Sequence, residues 1–172
     1  QAYLDRPLPV GGGRNMITAM TLGRMIETAQ ITRADKVLDI GCGLGYSTAI
    51  LAHLAESVIG VEQDAAMAAT GEATLRALGL ANAAIRTGDL TRAPAGTGPF
   101  DVIVINGAFE EIPAAFLPAM VDGGRLVGVS RAGGAGKVVV LTKTDAAWSE
   151  RATYNANAPL INEFRRAPAF AF

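Results

Sequence analysis

From Lys36 onward the chain alternates between short runs that are apolar throughout and longer segments of helical periodicity, and few folds accommodate that pattern. Lys36–Ile40, Ser57–Val61, Ala83–Thr87, Val102–Ile105, Arg125–Ser130 and Val138–Thr142 are strand-length runs, with a last one near Ala152–Asn157. Strands that are apolar on both faces must be covered on both faces, which is the condition of a parallel sheet wrapped by helices. Helices are expected from about Tyr46 to Ala55 and from Asp64, a capping carboxylate, to Gly79, a left-handed stop. Another is expected over Ala114–Met120, with Pro113 at its first turn. The two closing strands have no crossover-length segment between them and should pair antiparallel; Gly133-Gly134-Ala135-Gly136, before the first of them, reads as a flexible hairpin connection rather than a second nucleotide loop. The expected architecture is one open, doubly wound, mostly parallel α/β sheet with helices on both faces.

Residues 1–14 are rich in Pro and Gly and read as an irregular arm. Asn15 is the expected cap of a helix in which Met16, Met20, Met25, Ile26 and Ala29 recur at helical spacing as core packing. The organisation expected is thus an N-terminal arm and helix (1–35) lying over the site, followed by one globular unit (36–172). A net charge of −1 leaves no basic face for a nucleic acid, and the one adjacent basic pair, Arg165-Arg166, reads as surface. No stretch approaches the roughly 18 unbroken apolar residues of a membrane span. The single cysteine, Cys42, excludes an intrachain disulfide, no Cys/His set has metal-ligand spacing, and a reducing, cytoplasmic setting is the expectation. The first residues show neither a secretory leader nor an initiator methionine, so further residues are expected upstream.

Ligands of open α/β sheets bind where strand carboxyl ends meet the following loops. The first strand of the alternation delivers Asp39-Ile40-Gly41-Cys42-Gly43-Leu44-Gly45 to that position. Glycines at alternate positions let the backbone turn sharply and lie close to a ligand. A dinucleotide fingerprint would need glycine where this chain has Tyr46, which crowds the helix N-terminus that a pyrophosphate uses. Asp39 adds a negative charge that suits an ammonium or hydroxyl group and repels phosphate; nicotinamide chemistry is disfavoured on both counts. Glu62, with Gln63 beside it, ends the second strand, where a carboxylate can accept from both ribose hydroxyls. Gly88-Asp89-Leu90 follows the third strand, placing Asp89 to accept from an adenine amino group and Leu90 to cover its ring. Acidic residues at three successive strand ends describe an adenosine carrying no phosphate: S-adenosylmethionine (SAM). Cys42 is expected to act through its backbone, and His53, in the following helix, reads as a packing or surface residue.

With these residues in place, the chain resembles the class I SAM methyltransferases, and within them the protein-L-isoaspartate O-methyltransferase family. The resemblance is carried by Leu8-Pro9-Val10-Gly11, the glycine loop running into Tyr46-Ser47, Val61-Glu62, Leu78-Gly79-Leu80, Ala81-Asn82 and Gly88-Asp89. It continues through Pro99-Phe100-Asp101, Glu111-Ile112-Pro113 and Gly123-Gly124-Arg125-Leu126-Val127, covering roughly residues 3 to 145. It implies a Rossmann-like fold with a seven-stranded sheet, SAM as cofactor, and methylation of the misplaced carboxylate of isoaspartyl residues in aged proteins. By position it implies cofactor contacts at Asp39, Gly41, Gly43, Gly45, Glu62 and Asp89. It also places Asn106, where the family usually has threonine, at the reaction cleft. One departure stands out. The family's Thr-Ile-Ser-x-Pro segment, whose serine hydroxyl is taken to serve the acceptor carboxylate, aligns with Asn15-Met16-Ile17-Thr18-Ala19. Ile17 has no hydrogen-bonding side chain, which leaves Asn15 and Thr18 as candidate replacements. A protein or peptide acceptor is therefore the first expectation, with a different acceptor, including a small molecule, or a non-catalytic SAM-binding domain as the alternatives. Oligomeric state is not legible.

Overall fold

The computed structural model describes residues 6–11, 14–145 and 147–166. The N-terminal segment forms a two-stranded antiparallel hairpin, β1 (Leu8–Gly11) with β2 (Arg14–Met16), pairing Leu8 with Met16 and Pro9 with Asn15. The expected irregular arm is thus partly a hairpin, and Asn15 is a strand residue rather than a helix cap. The following helix, α1 (Ala19–Ala29), is capped by Thr18, whose hydroxyl accepts from the backbone N–H of Thr21 at 3.2 Å. Within it Met25 is buried while Met20 is exposed, so the methionine stripe is core at one end only.

The main sheet contains β3 (Lys36–Ile40), β4 (Ser57–Glu62), β5 (Ala83–Thr87), β6 (Phe100–Phe109), β7 (Met120–Ser130), β8 (Lys137–Thr144) and β9 (Ala147–Asn155). Their spatial order is β5-β4-β3-β6-β7-β8-β9, seven strands as the family resemblance implied. The five strands β3 to β7 run parallel, and β8 and β9 are antiparallel, as the missing crossover required. Helix α2 (Tyr46–Ala52) joins β3 to β4, and α3 (Ala65–Ala77) joins β4 to β5. Asp64 caps α3 by accepting from the N–H groups of Ala66 and Met67, and Gly79 takes φ +70° just past its end.

Adjacent strand residues point to opposite faces, and both faces here are apolar. Val37, Val58, Val102, Val104, Val127 and Val140 pack with Leu22, Met25 and Leu51 of α1 and α2. Leu38, Val61, Ile103, Ile105 and Leu126 pack on the other face with Leu90, Phe116 and Phe164. Helices cover both faces, but those on the second are 3₁₀ segments, Ala114–Ala119 and Asn162–Phe164, whose rings Phe116 and Phe164 meet edge to face. The α-helix expected over Ala114–Met120 does not form because Pro118 lies inside it, with no N–H and a ring that clashes with the preceding turn. No helix among the described residues is long and apolar enough to cross a membrane.

The chain leaves β3 toward β4 and β5 on one side and returns to β6 on the other, which makes the carboxyl ends of β3 and β6 the switch point of the sheet. Strand β6 runs past β3, since Ile40 pairs with Ile105 and β6 continues to Phe109. Its outer part is held by the C-terminal segment: Ala108 N–H donates to Pro159 O at 2.7 Å and Ile161 N–H donates to Ala108 O at 3.0 Å. Gly107 permits that crossing, because a Cβ there would lie 2.6 Å from Ile161 Cγ1.

Candidate active site

The glycine loop sits at this switch point. Gly41, Gly43 and Gly45 have φ of +72°, +56° and +86°, the left-handed region that glycine adopts without steric cost. Gly45 is doubly constrained, since a Cβ would lie 3.0 Å from Ile85 Cδ1 and 3.3 Å from the Cα of Gly71 in α3. The N–H groups of Gly41 and Cys42 both donate to Val61 O, at 2.8 and 3.2 Å, which ties the loop to the end of β4.

Two carboxylates lie beneath and beside the loop, and both are fully buried. Asp39 accepts from Ser47 Oγ and Thr48 Oγ1, each at 2.7 Å, and from the side-chain amide of Asn106. These bonds join β3 to the first turn of α2 and to β6. Burial pushes the Asp39 carboxyl up to about 6, against the lowering effect of its three donors. Asp39 was expected to meet a ligand ammonium or hydroxyl; in the structure its contacts are internal. Asn106 was expected just after a strand, but it lies within β6, one residue beyond the point where β3 stops.

Glu62 ends β4. One carboxylate oxygen accepts from Gly43 N–H at 2.9 Å, while the other accepts from Asp64 N–H at 3.0 Å and from the guanidinium of Arg14. The same guanidinium approaches Gly41 O at 3.5 Å. Arg14, carried by β2, therefore lies across the mouth of the glycine loop.

Two neighbouring cavities share Arg14, Asn15 and Asn106. The first, of about 30 Å³, lies between the hairpin and the glycine loop, against Met16, Ile17, Cys42, Tyr46 and Ser47. The second, of about 370 Å³, extends over Gln63 and Leu90 to Pro159–Glu163 of the C-terminal segment. Leu90 is buried with an edge in this second cavity, consistent with an apolar floor. Asp89 is not brought into either cavity. It faces a separate concavity with Thr87 and Arg92, accepts from Thr91 N–H and Oγ1 at 2.8 and 2.7 Å, and pairs with Arg92 at 3.0 Å. The bonds from Thr91 hold its carboxyl below the usual range. Cys42 is buried and its thiol is pushed well up by desolvation, which fits a backbone role.

On the acceptor side, Ile17 is 3% exposed and belongs to the core with α1 while also lining the first cavity. Thr18 is occupied in capping α1, and its hydroxyl also donates to Thr21 Oγ1 at 3.0 Å. Asn15 is exposed along the rim of the larger cavity.

The sequence profile of the protein-L-isoaspartate(D-aspartate) O-methyltransferase family matches residues 1–156. The chain belongs to this family. Among its relatives, a protein-L-isoaspartate O-methyltransferase from Koribacter versatilis is 40% identical over 126 residues, which is 73% of this chain and 57% of the relative. Another from Anaeromyxobacter is 39% identical over 146 residues, 83% of this chain and 59% of the relative. The chain thus spans less than two thirds of these relatives' lengths. Among solved structures, a protein-L-isoaspartate O-methyltransferase superposes with a TM-score of 0.82 at 19% identity, over 93% of this chain and 53% of its own. A Plasmodium falciparum protein described as a beta-aspartate methyltransferase, in complex with S-adenosyl-L-homocysteine, gives 0.75 at 17%, over 94% of this chain and 82% of its own. At these identities the likeness establishes the fold.

Several members of this candidate site carry no strong signal in the sequence. Ser47 and Thr48 belong to the glycine loop's own helix, and a hydroxyl pair directly behind an acidic strand end was a readable signal. Arg14 and the 159–163 segment come from opposite ends of the chain, and nothing in local spacing joins them to Glu62.

Proposed function

We propose that this chain binds SAM at the β3–β6 switch point and transfers its methyl group to a carboxylate of a damaged, isoaspartyl-containing protein or peptide. The observation that carries the reading is Glu62, a fully buried carboxylate at the end of β4 that is bonded directly to the glycine loop. The donor set fits the cofactor chemically. Glu62 offers acceptor oxygens to a diol, the glycines leave bare backbone for an aminoacyl chain, and Leu90 offers an apolar surface to a ring. Asp39, Gly41, Cys42, Gly43, Gly45, Tyr46, Glu62, Gln63, Gly88, Leu90 and Asn106 would hold or frame it. Asp39 acts through Ser47, Thr48 and Asn106, and Asp89 would need to turn from Thr91 to take part.

When bound, SAM supplies an electrophilic methyl on a sulfonium, which an ionised carboxylate can take by in-line displacement without a general base. The protein's contribution is then alignment and exclusion of water, and proximity of this kind supplies about 7–11 kcal/mol. The hairpin and the C-terminal segment are placed to form the two walls of the acceptor space. A single free cysteine suits the reducing cytoplasmic compartment where such repair would take place.

A second reading keeps the cofactor and changes the acceptor. It is favoured by Ile17, which is core rather than a hydrogen-bonding wall, and by Thr18, whose hydroxyl is committed to capping. Leaving a buried acceptor oxygen unpaired costs on the order of 1–3 kcal/mol. Incubation with methyl-labelled SAM and an isoaspartyl peptide separates the two. Base-labile methyl ester formed with turnover supports the isoaspartyl reading; binding of cofactor without ester above background moves the reading to another acceptor.

A further inference from the structure

We infer that Arg14 is a latch on the cofactor site, displaced by the ribose and then available to bind the anionic acceptor. The inference rests on the reading of Glu62 as the ribose-binding carboxylate. Two separate observations point to it. The Arg14 guanidinium bonds the Glu62 oxygen that is not held by Gly43, while Glu62 itself is fully buried. That oxygen also accepts from Asp64 N–H, so the guanidinium holds the position from which a diol would bond it. Independently, the cavity between hairpin and glycine loop is narrow, about 30 Å³ against about 370 Å³ for its neighbour. An aminoacyl chain entering between the glycine loop and Met16 and Ile17 would press on β2. Arg14 and the hairpin that carries it would then shift for the same ligand, one at each end of that ligand.

The displaced guanidinium does not return to water without a role. Among the described residues, Arg14 is the only cationic one lining either cavity. It borders the larger cavity beside Asn15 and Asn106, where an acceptor would approach. A guanidinium released from one carboxylate presents its planar fork to another, and arginine matches carboxylate geometry bidentately. The side chain that blocks the ribose thus becomes the group that recognises a carboxylate acceptor, in a wall where Ile17 offers no hydrogen bond. Cofactor is expected to bind first and acceptor second.

The test is calorimetric binding of S-adenosyl-L-homocysteine to wild type, R14Q and R14K, followed by binding of an isoaspartyl peptide to each saturated protein. Because a site open in one molecule of ten shows a tenfold weaker apparent affinity, R14Q is expected to bind S-adenosyl-L-homocysteine about 10-fold more tightly than wild type. R14K, which keeps the charge without the fork, should fall between them. With cofactor product bound, R14Q should lose at least about 10-fold in peptide affinity, the effect of one charge-assisted hydrogen bond. Unchanged or weaker binding of S-adenosyl-L-homocysteine to R14Q would make Arg14 a structural support of Glu62 and overturn the latch. Tighter cofactor binding with unaltered peptide affinity would overturn the acceptor role. A peptide that binds no variant, wild type included, would instead remove isoaspartate as the acceptor while the first titration still decides the latch.

Discussion

The donor and acceptor halves of the proposed site are built differently. The donor half is made of consecutive strand ends and their loops: Asp39 on β3, Glu62 on β4 and Asn106 on β6, all within one parallel sheet. Its carboxylates are fully buried, and each of their oxygens accepts at least one hydrogen bond from the protein. The acceptor half is made of the chain's two ends, the β1–β2 hairpin and residues 159–163, with exposed Asn15 and half-buried Arg14 at its edge. Parallel-sheet geometry leaves the donor half one arrangement. Within the acceptor half, residues 159–161 are bonded to Ala108 of β6, whereas the hairpin meets the donor half at Arg14, so the hairpin is the part that can move and diverge. On the proposed reading, the departure at Ile17 falls in the second half.

If that contrast is right, substitutions should separate along it. The largest effect is expected at Ile17→Ser, the change that would restore the family's hydroxyl. Because Ile17 is core as well as wall, removing its buried methyl groups should cost about 3–5 kcal/mol. A thermal melt should then fall by roughly 6–20 °C, and a variant as stable as wild type would place Ile17 outside the core. Gly45→Ala comes next, at about 2–4 kcal/mol, from its left-handed backbone and the contacts its Cβ would make. A urea titration that showed no loss would mean the loop can adjust, against the account of a rigid donor half.

Asp39→Asn should cost about 1–3 kcal/mol, since an amide cannot accept from all three donors. It should also change the pH profile. Burial lifts the Asp39 carboxyl from 3.8 to about 6, so the folded protein binds that proton more tightly than the unfolded chain. The cost of keeping Asp39 ionised is fully present above pH 6 and is relieved as the pH falls toward 4. The stability of wild type relative to the variant should therefore decline between pH 4 and pH 6, and a flat difference would contradict the burial argument. The smallest effect, under about 0.5 kcal/mol, is expected for exposed Asn15→Ala. Its consequence should instead be read in acceptor affinity.

The same division explains what could be read from the sequence. The switch-point strands, the Asp64 cap, the Gly79 stop and the β5 boundaries follow from local periodicity and from residues with one physical role. Glu62 was legible because an acid at a strand end beside a glycine loop has few other uses. Asn15 reads as a cap in the sequence, but β2 takes it into a hairpin with β1. Strand β6 runs beyond its continuous apolar core because its outer residues are held by Pro159 and Ile161, some fifty positions away. Pro118 was visible but overridden by an apolar pattern, and the 3₁₀ segment is its outcome. Arg14 offered no periodic signal; its meaning appears only when Glu62 is beside it.

The most direct measurement is the calorimetric titration of S-adenosyl-L-homocysteine into wild type and Glu62→Gln, each checked for folding by circular dichroism. The account predicts one binding site per chain in wild type. It predicts an affinity about 10- to 100-fold lower in the variant, the loss expected for hydrogen bonds to a charged acceptor. No binding to folded wild type, or equal binding to both proteins, would contradict the assignment of the β3–β6 switch point as a SAM site.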